Sequence, residues 1–272
     1  MSTFEIEAEY LKHLISDIDD DSTLEIQDNH MSISFIDAAA ILAIYNKLNK
    51  SAFYKYEVGE VNKVNLDFKT LNSVLNKKRM GKEEIITMNI SKEQVEFKTK
   101  NFKFVLPTLV EVRSSQLTIP THNSDQYIEV RLYNKELKES IKTISSFYDV
   151  LRVYIEDNTF KISGYKTKSS LISNMEVELC EIITDKKVNS YYSLEYIENA
   201  MKSIDKHTLV SLYIGNNMPL FIEYEVDTEF FSSRVLAPRI EDREEEEDTS
   251  SEQDQQDNNT KEDTTKTSNN NK

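Results

Sequence analysis

The sequence predicts an α+β protein, with antiparallel sheets carrying helices on one face, built from one unit used twice. Three observations predict it. Short segments that alternate apolar and polar residues outnumber segments with helical periodicity. Leu24-Glu-Ile-Gln-Asp28-Asn29-His-Met-Ser-Ile33-Ser34 matches Val153-Tyr-Ile-Glu-Asp157-Asn158-Thr-Phe-Lys-Ile162-Ser163, 129 positions later. Asp67-Phe68-Lys-Thr-Leu71-Asn-Ser-Val74-Leu75 matches Ser193-Leu194-Glu-Tyr-Ile197-Glu-Asn-Ala200-Met201, 126 positions later. A nearly constant offset across several elements marks a duplicated unit of roughly 120 residues.

The elements follow in order. Leu11, Leu14, Ile15 and Ile18 recur at helical spacing and predict a first amphipathic helix. The Asp28-Asn29 segment then reads as a hairpin with one buried face. Asp67 is a good N-cap for a second helix, and Ile86–Ile90 follows as a strand. Pro120-Thr-His-Asn-Ser-Asp125 is a polar, turn-forming join between the halves. In the second half Leu137, Ile141 and Ile144 predict a helix, and Asp157-Asn158 the matching hairpin turn. Ser193 is placed to cap the fourth helix, with Val210–Ile214 the strand after it.

The chain has 272 residues but four glycines, four prolines and no tryptophan. Isolated glycines argue against a phosphate-binding loop, which needs backbone tolerant of positive φ. One cysteine, Cys180, excludes an intrachain disulfide or a multi-cysteine metal site. It lies in an apparent strand, Val177–Ile182, and reads as a core residue rather than a nucleophile. The four histidines are scattered, and Asp19-Asp-Asp21 lacks the spaced ligands of a calcium loop. No catalytic residue, metal or cofactor is expected. No leader or bilayer-length apolar run is apparent, so the expectation is a soluble intracellular protein without a membrane partner.

The formal charge of −15 is unevenly spread. Residues 241–272 carry 12 acids, 4 bases and no apolar residue, and read as a disordered tail. Residues 1–239 retain 36 acids and 29 bases. Such a body does not bind nucleic acid by bulk charge. The four helical segments nevertheless sum to +3 against −10 for the rest of 1–239. Lys135, Lys138 and Lys142 share one helical stripe.

Four motifs carry a family resemblance. They are Gln116-Leu-Thr-Ile-Pro120, Ser190-Tyr-Tyr-Ser-Leu-Glu-Tyr196, Gly215-Asn-Asn-Met-Pro219 with Leu-Phe-Ile-Glu-Tyr-Glu-Val226 after it, and Val235-Leu-Ala-Pro-Arg-Ile-Glu241. In their order and spacing they resemble the DNA sliding clamps of the proliferating cell nuclear antigen family, archaeal and eukaryotic type. The resemblance runs from Phe4 to about Asp242 and is weak between Leu42 and Asn65.

That resemblance implies two clamp domains, 1–122 with a connector at about 107–122, and 123–241, followed by the tail at 242–272. It implies sheets outside and two helices per domain lining a ring of three chains, a homotrimer or heterotrimer. The subunit edges would be Asn101–Leu106, tested at Phe104, and Lys168–Asn174, tested at Leu171. Lys12, Lys77, Lys78, Arg79, Lys138, Lys142 and Lys202 would face double-stranded DNA without sequence preference, thinned by Glu139, Glu195 and Glu198. A partner-peptide groove would comprise Ile36, Ala40, Leu117, Ile119, Pro120, Pro219, Val235, Ala237, Pro238, Arg239 and Ile240. Val235 stands where the family often has an aromatic residue.

The implied function is a DNA polymerase processivity factor. Its partners would be a polymerase, an ATP-driven clamp loader, and flap endonuclease and ligase type enzymes. It would work on chromosomal DNA, in the cytoplasm of an archaeon or the nucleus of a eukaryote. Two alternatives stay open from the sequence: a specialised or checkpoint-type subunit confined to a mixed ring, and a peptide-binding scaffold that does not encircle DNA.

Overall fold

The duplication is visible strand by strand in the computed structural model, which describes residues 1–77, 81, 83–110, 120–123, 125–167, 175–182 and 184–239. In the first half the order is β1 (Ser2–Glu7), α1 (Ala8–Leu14), β2 (Asp21–Ile26), β3 (His30–Ile36), β4 (Leu42–Asn49), β5 (Phe53–Glu57), β6 (Lys63–Asp67), α2 (Phe68–Lys77), β7 (Ile85–Ile90), β8 (Gln94–Lys98) and β9 (Lys103–Pro107). A short 3₁₀ turn, Lys50–Ala52, precedes β5. The second half runs β10 (Ile128–Tyr133), α3 (Asn134–Ser145), β11 (Tyr148–Glu156), β12 (Thr159–Thr167), β13 (Glu176–Glu181), β14 (Val188–Ser193), α4 (Leu194–Met201), β15 (Leu209–Ile214), β16 (Leu220–Val226) and β17 (Phe230–Leu236).

Three sheets result. One has the order β5-β1-β7-β8-β9, and one β13-β12-β11-β14. The third, β10-β15-β16-β17-β4-β3-β2-β6, is shared between the halves. Its joint is the antiparallel pairing of β17 with β4, seven residue pairs from Phe230↔Leu48 to Leu236↔Leu42. The duplication maps β1-β7-β8-β9 onto β10-β15-β16-β17, and β4-β3-β2-β6 onto β13-β12-β11-β14. The strands equivalent to β17 and β4 are therefore β9 and β13, and among the described strands both are open edges. Residues 1–239 form one compact unit around this shared sheet. The strand β5 has no counterpart among the described strands of the second half; it covers the outer edge of β1 and packs Phe53 and Tyr56 around Phe4.

The predicted helices form, each burying its apolar stripe. α1 is shorter than the periodicity suggests. Asp17 takes a left-handed conformation at φ 61°, so Ile15 and Ile18 are buried in the turn after the helix. Asp67 caps α2: its Oδ1 accepts the Thr70 N–H at 2.8 Å and its Oδ2 the Thr70 hydroxyl at 2.5 Å. These bonds hold the Asp67 carboxyl below the usual carboxylate range. Ser193 occupies the N-cap of α4 but makes no capping bond through its side chain.

The two hairpins form in the predicted places with different turns. Asp157 and Asn158 have φ 50° and 59°, a two-residue turn whose twist suits the paired strands. The first hairpin closes with the Gln27 N–H donating to the His30 carbonyl, and Asp28 and Asn29 stay out of the left-handed region. The expected edge at 101–106 is β9. The expected edge at 168–174, with Leu171, lies outside the described residues; β13 is the described edge of that sheet. Cys180 sits on β13, half-buried against the core, and burial pushes its thiol up.

Candidate functional site

Strand pairing builds one row of residues across the outer face of the shared sheet. Ile36 pairs with Ala43, Ala43 with Val235, Val235 with Phe221, and Phe221 with Tyr213. Directly paired residues point to the same face, so these five side chains form a continuous apolar strip. They cluster with Tyr127 and Met218, apart from the main core. His122 lies on the strip, stacked on Tyr213 at 3.8 Å and edge-on to Phe221 at 5.1 Å. Its Nε2 is 3.4 Å from Glu223 Oε1. Burial, then the Glu129 carboxylate, raises the Tyr213 hydroxyl above its ordinary value.

Two of the sequence motifs are parts of one support for this strip. Ser190 donates its hydroxyl to the Gly215 carbonyl at 2.7 Å and accepts the Asn217 N–H at 2.7 Å. Tyr192 donates to the Met218 carbonyl at 2.7 Å. The Ser190–Tyr196 segment thus fixes the turn that delivers Met218 and Pro219. Space is tight at Gly215: a Cβ there would stand 3.0 Å from the Gln126 carbonyl oxygen. On the other flank, Asp37 Oδ1 accepts the N–H groups of Ile41 and Leu42, both at 2.7 Å, shaping the turn before β4. The Ala237 N–H donates to the Ile41 carbonyl at 2.8 Å, and the Arg239 N–H to the Tyr191 carbonyl at 2.7 Å. The C-terminal segment therefore lies beside the strip.

Of the expected groove residues, Ile36 and Val235 stand in the row, and Pro219, Ala237, Pro238 and Arg239 lie along its flank. Ala40 is in the exposed turn at φ 55°, while Ala43 takes the row position. Pro120 is exposed near His122 in sequence. Leu117, Ile119 and Ile240 lie outside the described residues. Sequence reasoning missed Ala43, His122, Tyr127, Tyr213, Met218 and Phe221. A signal existed for some of them. Leu42-Ala43, Phe221-Ile222 and Val235-Leu236 are adjacent apolar pairs within strands, which require cover on both faces.

The inner face is different. Arg234, next to Val235 in β17, points the opposite way and is fully buried. Its guanidinium meets Asp17 just after α1 at 3.2 Å, Tyr224 at 3.0 Å and Ser203 just after α4 at 3.3 Å. Both α1 and α4 pack on β17. Of the expected DNA-facing residues, Lys142 and Lys202 are exposed, and Lys12 is half-buried on α1. Lys138 is half-buried and donates to the carbonyls of Lys202 and Ile204 at 3.1 and 3.2 Å, tying α3 to the end of α4. Lys77 ends α2; its side chain, like Lys78 and Arg79, lies outside what is described.

A sheet joined across a duplication, with helices on one face and a peptide-sized apolar strip on the other, defines a clamp-type subunit. The comparisons with known proteins agree. DNA polymerase sliding clamps of Thermococcus fumicolans and Thermococcus onnurineus are 27% and 28% identical over 233 residues, covering 84% of this chain and 92% of each relative. The clamp of Methanococcus maripaludis is 23% identical over 235 residues. The fold matches a structure of the C-terminal region of FEN-1 bound to A. fulgidus PCNA with a TM-score of 0.79 at 15% identity, covering 89% of this chain and all of that one. It matches the PCNA2–PCNA3 complex of Sulfolobus tokodaii with a TM-score of 0.73 at 18% identity, covering 88% of this chain. No family model matches the chain. Over most of its length the chain is thus similar to DNA polymerase sliding clamps, and it has the fold of the proliferating cell nuclear antigen structures.

Proposed function

We propose that three such subunits close a ring around duplex DNA and tether replication and repair enzymes through the apolar strip, without catalysis of their own. The observation that carries this is the joint between β17 and β4. The chain pairs these two strands within itself and leaves their duplicates, β9 and β13, as open edges. Open edges call for partners. Repeating the same joint between neighbours gives a heterologous contact that closes when the rotation fits. On this reading 1–122 and 123–241 are the two domains, and three chains supply six.

The helices would then face the hole. Lys142 and Lys202 would screen phosphate charge loosely, so the ring can slide. Retention is topological, which makes a net-negative body tolerable. An ATP-driven loader is required to open the ring. Polymerase, flap endonuclease and ligase type partners would insert a short apolar and aromatic peptide between Val235, Ile36 and the connector, pairing backbone with the segment at Ala237–Ile240. The protein would work on chromosomal DNA inside the cell.

The test is retention. After loading, the chain should stay on circular duplex DNA and run off linear DNA, and alone it should sediment as a trimer. Sedimentation as a monomer that trimerises only with related subunits assigns the mixed ring. Equal loss from circular and linear DNA refutes encirclement. Ile119→Glu with Pro238→Glu should abolish binding of a clamp-binding peptide in calorimetry while leaving the oligomer intact; undiminished affinity ends the groove assignment.

A further inference from the structure

The apolar strip does not end at Tyr213. Beyond it the same strands enclose a groove of about 620 Å³. Its floor is the outward face two to four residues further along: Ser211 and Leu209 on β15, Glu223 and Glu225 on β16, and Phe231 on β17. Tyr213 and Glu223 belong to both: Tyr213 packs in the strip, and Glu223 faces His122 while lining the groove. Leu209 is 49% exposed, an uncovered apolar residue at the end of this floor away from Tyr213.

The charge of the groove is one-sided. Asp205, Glu223, Glu225 and Asp227 line it against Arg131 and His207. Arg131 is already paired with Glu129 at 2.7 Å. Within one Debye length, about 8 Å at physiological salt, such carboxylates act together on a ligand. The distance fits a chain: a strand rises about 3.3 Å per residue, so Phe221 to Glu225 spans roughly 13 Å, four extended residues.

We infer that this groove takes a lysine- or arginine-rich stretch flanking the apolar segment of the partner peptide, so the binding site has an apolar and an electrostatic half. The inference rests on the peptide reading of the strip given above. Apolar anchors in the strip supply affinity, and the flank supplies faster, salt-sensitive capture and selects among partners. Continuity of the two halves along β15 and β16 makes one polypeptide the natural occupant.

The experiment uses the full chain and synthetic peptides in fluorescence anisotropy. One peptide carries only the apolar and aromatic anchors. Two others add four lysines or arginines at one end or the other, because strand polarity leaves the direction open. At about 0.05 M salt, where screening is weak, one flanked peptide should bind about tenfold tighter than the bare one, and the gain should vanish near 1 M. Glu225→Lys with Asp227→Asn should remove that gain and leave the bare peptide unchanged. Asparagine is used at Asp227 because that residue sits at φ 51° in a hairpin turn. Glu225→Gln with Asp227→Asn should remove part of the gain. A flanked peptide no tighter than the bare one, or a gain that survives charge reversal, overturns the inference alone. Failure of every peptide to bind the wild-type chain overturns the strip reading and this inference with it.

Discussion

Replacing Asp17 by asparagine should destabilise the subunit far more than one surface charge would. Arg234 has no exposed surface, and its ion-pair partner Asp17 is 14% exposed. At 3.2 Å and an effective dielectric near 20 the pair attraction is about 5 kcal/mol, most of it offset by desolvation. Removing one member of a buried pair typically costs about 3–5 kcal/mol, because the other charge stays buried. Asparagine keeps one acceptor for the guanidinium, so the expected loss is about 2–4 kcal/mol. It also tolerates the left-handed backbone at φ 61°, which keeps strain out of the comparison. The drop in Tm should be roughly 5–15 °C. Urea unfolding at fixed protein concentration measures it, since oligomerisation makes apparent stability concentration-dependent. In a cycle with Arg234→Met, the double variant should lose less than the sum of the singles by at least about 1 kcal/mol. An Asp17→Asn loss under about 0.5 kcal/mol, with additive singles, would refute the view that Asp17 and Arg234 form a mutually dependent buried pair.

Three further outcomes follow from other contacts. Gly164→Ala should cost about 1–3 kcal/mol in denaturant unfolding, because a Cβ there would stand 2.3 Å from the buried Tyr148 ring. Asp67→Ala should cost about 0.5–2 kcal/mol through the lost cap of α2. The Asp67 carboxyl is depressed in the folded state, so its contribution is full above the unfolded value of about 3.9 and lost as pH falls through the folded value. The deficit of the variant should therefore shrink in acid, which stability curves at two pH values would show. Phe104→Glu, on the open edge β9 where Phe104 stacks on Phe97 at 4.7 Å, should convert the sedimenting trimer to monomer. A folded trimer would exclude that edge as the interface.

Much of the architecture was legible because it is written in near neighbours. Leu137, Ile141 and Ile144 share a helix face by spacing alone, and all three are buried. Asp157-Asn158 carries its turn chemistry in two residues. The resemblance motifs located the C-terminal flank of the strip, Pro219 and Val235–Arg239, but the strip itself was only partly read. Tyr213, Phe221 and Ala43 become neighbours only through strand register. Lys138 read as one of three stripe lysines, yet its ammonium ties α3 to the end of α4, because the carbonyls after α4 come within reach only when the helices pack.

By itself, then, the sequence determined the duplication, the four helices and the two hairpins, since periodicity, caps and turn residues act over a few positions, and its motifs carried the resemblance to sliding clamps. Only the tertiary structure decided that β17 pairs with β4, that Arg234 is buried beside Asp17, and that His122 lies on Tyr213 and Phe221. Arg234 finds Asn46 across 188 positions and Ser16 across 218. Contacts that distant are chosen by the register of long-range strand pairing and by the burial it forces, and no local pattern carries that information.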